Sequence, residues 1–98
     1  MLGLCALTPT LAKGTTGKTK VNSVAEDKLT ATNTYVYKIS AAATAVAYNE
    51  TCTTGWTAAT LGTTEISTTA GQIITLVEID SNSKAKAVGT VTVVDDIG

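Results

Sequence analysis

A glycine-rich stretch near the start of the chain is the first candidate for chemistry. Residues 12–19 read Ala-Lys-Gly-Thr-Thr-Gly-Lys-Thr, which fits a relaxed phosphate-loop pattern with Ala in place of the first Gly. The run 74–80 resembles the apolar strand that ends in a magnesium-binding acid in nucleotide-binding proteins. A working phosphate loop needs a buried strand before it and a helix after it, because the helix amides hold the phosphate. Pro9 interrupts the preceding strand and the sequence after the loop is a weak helix start, so we predict that Lys18 and Thr19 make no phosphate contact.

Other catalytic and ligand-binding arrangements have little support in the sequence. The chain contains no histidine, which excludes Ser-His and Cys-His nucleophile systems and argues against a zinc site. Asp95 and Asp96 are adjacent and are interpreted as surface charge, not as an acid–base pair. Asp80, Asn82 and Ser83 offer oxygen ligands suited to calcium, but we favour ordinary hairpin-turn chemistry for them. We therefore predict a protein that is not an enzyme and uses no cofactor and no metal.

The cysteines and the start of the sequence bear on where the protein works. The apolar first residues lack the basic start and the length of a secretion signal, so we expect a protein made and used in the cytoplasm. Cys5 and Cys52 are then expected as free thiols, with a disulfide between them as the alternative. No stretch approaches the roughly 20 apolar residues that a membrane span needs, so no membrane partner is expected.

The balance of charge is nearly neutral but uneven along the chain. A net charge of −1 argues against a nucleic-acid partner, because nucleic-acid-binding domains are usually clearly basic. Three lysines stand near the start, and an acidic cluster near the end comprises Glu78, Asp80, Asp95 and Asp96. We interpret both groups as solvated surface charge, with complementary ends that meet in an assembly contact as the alternative.

Residue patterns predict β-strands throughout. About a fifth of the chain is Thr, whose branched Cβ favours strands over helices. In 71–94, two runs rich in β-branched residues flank the polar cluster 81–84, which is the pattern of a hairpin. Ile74 and Leu76 fall on one face of the first run, and we expect them to be buried together with Trp56. Further short strands are predicted at 18–24, 35–41, 55–57 and 65–67, and the ambiguous segment 41–48 is also assigned to a strand.

About seven short strands predict an all-β fold, a small immunoglobulin-like antiparallel β-sandwich over residues 18–98. Residues 1–17 lack sustained periodicity and are predicted to form an extended N-terminal arm, whose ordering costs about 1–2 kcal/mol per residue in backbone entropy. We predict that the arm docks onto other chains through Leu2, Leu4, Leu7, Leu11 and Lys13. Removing residues 2–12 then leaves a folded domain that no longer attaches. The other outcome, a chain that fails to fold, would make the arm an integral strand.

The order of these motifs resembles small immunoglobulin-like head decoration proteins of tailed bacteriophages. The resemblance is carried by β-pattern motifs at 17–21, 35–39, 55–57, 65–66 and 71–80. It implies a non-enzymatic virion structural protein, a capsid decoration or cement subunit on the outer surface of a phage head. The major capsid protein and neighbouring copies of the chain would be its partners. Contacts with other chains would add buried apolar area to a sequence that has no Phe and one Trp, and therefore a small core.

The alternative function is an immunoglobulin-like adhesion or glycan-binding module of a phage tail, a fibre or a cell surface. Host-surface glycans would then be the partner, and an aromatic platform would be built from Trp56, Tyr35, Tyr37 and Tyr48. In a domain without Phe we instead favour these rings as core and interface anchors.

Overall fold

Two β-sheets make up the part of the chain that the computed structural model describes, residues 5–26, 29–94 and 97–98. Within these ranges there are eight strands and no helix: β1 (Cys5–Ala6), β2 (Pro9–Lys13), β3 (Lys18–Val24), β4 (Thr34–Ser40), β5 (Thr57–Ala59), β6 (Glu65–Ser67), β7 (Ile73–Ile79) and β8 (Ala85–Thr92). The larger sheet has the order β1-β8-β7-β4-β5 and the smaller sheet the order β2-β3-β6. The all-β sandwich predicted from the sequence is confirmed, with eight strands instead of about seven.

Strand β7 is the centre of the larger sheet and is buried on both faces. It pairs antiparallel with β4 on one side and β8 on the other. Alternation along the strand sends Ile74 and Leu76 into the space between the sheets, where they pack with Val21 and Ile66 of the smaller sheet. Val77 points to the opposite face and is also fully buried. Burial on both faces explains why β7 is a nearly continuous apolar run.

The outer face of the larger sheet is covered by residues 41–56, which contain no strand and are called the covering segment here. Val36 and Val77 from the sheet pack against Cys52, whose exposed fraction is 1%. Trp56 is half-buried and packs on the same cluster. The sandwich therefore has a second apolar core outside the space between its sheets.

Two expectations about this region are wrong. Residues 41–48 form no strand, because their small side chains give no period-two pattern strong enough to pair them with a neighbour. Trp56 does not share a core with Ile74 and Leu76, since it packs on the opposite face of the sheet that contains them.

The first two strands belong to different sheets. β1 pairs parallel with β8, whereas β2 pairs antiparallel with β3. The chain crosses between the sheets at Leu7 and Thr8, and the Leu7 N–H donates to the Val88 carbonyl oxygen at 2.9 Å. Gly89 permits this close approach, since a Cβ there would lie 2.8 Å from the Leu7 carbonyl carbon. The described part of the predicted arm therefore contributes two strands to the sandwich.

Candidate interaction surfaces

The five residues predicted as an assembly interface lie in different environments. Leu7 is 7% exposed and belongs to the core between the sheets, and Leu11 packs against the same core. Lys13 is exposed at the end of β2. Leu2 and Leu4 lie outside the described residues. Two of the five residues are thus used for packing inside the sandwich, and docking onto other chains stays a prediction.

The glycine-rich stretch forms the turn of the β2–β3 hairpin. The Gly14 N–H donates to the Lys18 carbonyl oxygen at 3.0 Å, and the Lys18 N–H donates to that of Thr15 at 2.9 Å. Gly17 has a φ of 78°, a left-handed conformation that glycine adopts without strain. Strand β3 comes directly after the turn, so the helix amides that hold phosphate in nucleotide-binding loops do not form in this stretch.

Asp80 shapes the hairpin turn that precedes β8. Its Oδ1 accepts hydrogen bonds from the backbone N–H groups of Asn82 at 2.9 Å and Lys84 at 3.0 Å. The bond from Lys84 is the main reason that the pKa of Asp80 lies below its ordinary value, and the bond from Asn82 adds to it. Ser83 adopts a φ of 62°, as turn residues do. Across the described residues, no group of three or more acidic, cysteine or histidine side chains is placed to hold a metal ion.

Two lysine–aromatic pairs lie where the covering segment meets the larger sheet. The Lys38 Nζ is 5.2 Å from the centre of the Trp56 ring, and the Lys86 Nζ is 4.8 Å from that of Tyr48. Lys86 also lies 3.6 Å from the Asp80 Oδ2. Each cation–π contact contributes about 0.5–1 kcal/mol at an exposed site. These contacts hold the covering segment on the sheet, so both rings act as packing groups.

The four aromatic side chains do not form one platform. Tyr35 is buried between the sheets and Tyr37 packs on that same core. Tyr48 and Trp56 lie on the opposite side of the larger sheet, each beneath a lysine. The glycan platform considered from the sequence is therefore not assembled.

Glu78 is a buried carboxylate with an exposed fraction of 0%. Its Oε2 accepts hydrogen bonds from the Asn33 Nδ2 at 2.7 Å and from the Leu29 backbone N–H at 2.8 Å. Its Oε1 has no hydrogen-bond partner within the described residues. The interpretation of Glu78 as solvated surface charge is wrong. The sequence did indicate that Glu78 is buried, because alternation along β7 places it on the same inward face as Ile74 and Leu76.

Two large apolar side chains are exposed in the described part of the chain, Leu29 at 52% and Val94 at 59%. Leu29 lies where β7 ends, because its amide is bound by Glu78. Val94 lies where β7 begins, because the preceding Val93 N–H donates to the Gln72 carbonyl oxygen at 2.8 Å. Residues 72 and 78 are about 20 Å apart along an extended strand. We call these two regions the Leu29 end and the Val94 end.

The two cysteines are free thiols, as predicted, and differ in accessibility. Cys5 is exposed on β1, whereas Cys52 is buried in the outer core. Burial raises the pKa of the Cys52 thiol, and the nearby Glu50 carboxylate raises it further. The described residues contain no helix with the length and apolar character needed to cross a membrane.

Comparison with known proteins gives consistent matches. The family described as S-layer protein SbsC C-terminal domain matches residues 12–96. The crystal structure of the S-layer protein SbsC, domains 7, 8 and 9, is 28% identical, with a TM-score of 0.78 over 96% of this chain and 30% of that chain. The structure of surface layer protein SbsC, domains 4–9, is 33% identical, with a TM-score of 0.78 over 98% of this chain and 15% of that chain. This chain spans less than a third of either structure. A search of curated proteins finds no match.

These matches correct the resemblance to phage proteins. The family and both structures belong to a bacterial surface-layer protein, so the predicted head decoration protein is wrong. Three predictions that depended on this resemblance are therefore wrong as well: a virion structural protein, the major capsid protein as a partner, and a place on the capsid surface. Motifs made of alternating apolar residues recur in unrelated sandwiches, so they identified the fold class and not the family. The cell-surface part of the alternative fits the matches better.

Proposed function

Because the chain belongs to the family of the S-layer protein SbsC C-terminal domain, we propose that it is a structural domain of a surface layer, the protein lattice that covers a bacterial cell. The match over residues 12–96 carries the proposal. A fold shared with SbsC over 96% and 98% of the chain supports it. The partners in this proposal are neighbouring domains and further copies of the same surface-layer protein, outside the cell.

The proposed domain works as one unit in a series. The two SbsC structures contain domains 7 to 9 and domains 4 to 9, and this chain corresponds to 30% and 15% of them. Each domain in such a series has to keep its two neighbouring domains at a fixed distance and orientation, which requires a rigid fold. The doubly buried β7 and the anchored covering segment supply that rigidity.

The proposed function needs no catalysis. A lattice domain has to remain folded in the changing medium outside a cell, without a cofactor that could be lost. Apolar cores on both faces of the larger sheet and the hydrogen bonds between strands hold the described residues together. The turns are closed by their own side chains, as Asp80 closes the turn before β8. We therefore propose a purely structural role.

The test is to locate the protein in the organism that encodes it. Trypsin cuts after Lys28 and Lys38, so the peptide 29–38 reports on this domain in quantitative mass spectrometry. Cells are separated into cytoplasm and envelope, and the surface layer is extracted from the envelope with guanidinium. We expect the peptide in that extract at the level of the most abundant envelope proteins. Recovery mainly from the cytoplasm, or from purified phage particles, would contradict the proposal.

A further inference from the structure

We propose that Leu29 is a docking residue, whose side chain contacts the Val94 end of the preceding domain in the same polypeptide. Successive sandwiches then stack end to end through one small apolar contact. The inference rests on the proposed function, because it requires a polypeptide with several such domains.

The backbone N–H of Leu29 is held by a buried carboxylate although the side chain is in solvent. The Leu29 N–H is bound at 2.8 Å by the carboxylate of Glu78, which is fully buried. The same carboxylate oxygen binds the Asn33 amide at 2.7 Å, and the Asn33 N–H donates to the Thr30 carbonyl oxygen at 3.0 Å. These bonds hold the backbone at Leu29 and over residues 30–33 before any partner arrives. An apolar side chain that docks from a backbone already held in place costs less conformational entropy than one on a flexible loop.

The described part of the Val94 end presents small side chains, and Asp95 and Asp96, which follow in the sequence, lie outside the described residues. The Gly71 N–H donates to the Val93 carbonyl oxygen at 2.8 Å, which brings Ala70 and Gly71 next to Val94. Ser40 pairs with Ile73 at the same end, so the alanines that follow Ser40 start there as well. The exposed residues at this end include Ala41, Ala42, Ala43, Ala70, Gly71 and Val94, together with Thr69 and Thr92. Val94 and these alanines offer apolar contacts to a leucine side chain.

The path of the chain indicates which neighbour reaches which end. Cys5 pairs with Ala87, and Ala87 pairs with Glu78, so β1 begins at the Leu29 end. The Gly98 N–H donates to the Lys18 carbonyl oxygen at 3.0 Å, next to the hairpin turn at the opposite end. A domain joined before this one therefore meets the Leu29 end. A domain joined after it meets the Val94 end.

The test uses a purified tandem protein made of two complete copies of this chain joined directly. Only the second copy has its Leu29 at the junction. Leu29→Ser in the second copy is therefore compared with Leu29→Ser in the first copy, a control of identical composition. Because Leu29 is exposed, both variants should fold, which thermal unfolding followed by circular dichroism verifies.

Nuclear magnetic resonance relaxation then measures how each copy tumbles. We expect the unmodified tandem and the first-copy variant to tumble as one body. Leu29→Ser in the second copy should lower the rotational correlation time by roughly half, towards that of independent domains. Equal values for the two variants, or independent tumbling of the unmodified tandem, would overturn the proposal. Since this measurement needs no cells, its failure is distinguishable from absence of peptide 29–38 in the surface-layer extract.

Discussion

Replacing Gly89 by Ala tests whether the first strand is an integral part of the sandwich. A Cβ at this position would lie 2.8 Å from the carbonyl carbon and from the Cβ of Leu7, and closer still to the Leu7 carbonyl oxygen. The obstacle is backbone, which cannot rotate away as the tip of a side chain can. In the Gly89→Ala variant, β1 must therefore shift against β8 or separate from it.

Both outcomes lower the free energy of unfolding. A shift that overpacks the core costs about 1–3 kcal/mol. Separation exposes Leu7, at about 1.5–3 kcal/mol, and breaks its 2.9 Å hydrogen bond to Val88, at about 1 kcal/mol. Alanine offsets about 0.4–1 kcal/mol by restricting the unfolded chain. We expect a net loss of about 2 kcal/mol, which lowers the urea midpoint by about 2 M if the denaturant slope is about 1 kcal/mol per M.

Urea unfolding followed by the fluorescence of Trp56, the single tryptophan, measures this loss. The matched control places Gly89→Ala in a chain lacking residues 2–8, where Leu7 is absent and the substitution should be close to neutral. An unchanged midpoint in the full chain would refute the close packing of Leu7 on Gly89. An equal loss of unfolding free energy in the full and shortened chains would refute this packing as well.

Three further predictions concern single side chains. One thiol per chain, Cys5, should react rapidly with a thiol reagent in the native state, and Cys52 should react only after denaturation; two rapid thiols would contradict the burial of Cys52. Glu78→Ala should lower the free energy of unfolding by about 2–4 kcal/mol in urea titration, because it leaves the buried Asn33 amide and the part-buried Leu29 N–H without their acceptor. A loss below about 0.5 kcal/mol would contradict this role. A hydrogen bond from the Thr15 backbone holds the pKa of Glu65 below its ordinary value of 4.5, so its contribution to stability is complete above pH 4.5 and is lost as the pH falls below that. Glu65→Gln should therefore lose less stability than the unmodified chain between neutral pH and pH 3, and identical pH profiles would exclude this contribution.

Local alternation predicted the centre of the fold well. The apolar run at β7 gave the strand, its hairpin with β8 and the inward direction of Ile74 and Leu76. It also placed Glu78 on the inward face, but the usual preference of carboxylates for solvent outweighed that signal. The hydrogen bonds that make burial of Glu78 acceptable come from Leu29 and Asn33, which are 49 and 45 residues away in the sequence.

Long-range pairing could not be predicted from local pattern. The parallel pairing of β1 with β8 joins residues more than 80 positions apart, and it depends on the absence of a side chain at Gly89. The covering segment likewise has no repeating pattern, and its position depends on contacts such as Lys38 with Trp56. The candidate docking residue Leu29 stands out only once the structure shows its amide bound by a buried carboxylate.

The proposal that the chain is part of a surface layer is tested most directly by electron microscopy of intact cells. An antibody raised against the purified domain and coupled to gold is applied to unopened cells of the organism that encodes the protein. We expect gold over the whole cell surface, at positions that follow the spacing of a regular lattice. Labelling that appears only after the envelope has been opened would contradict the proposal.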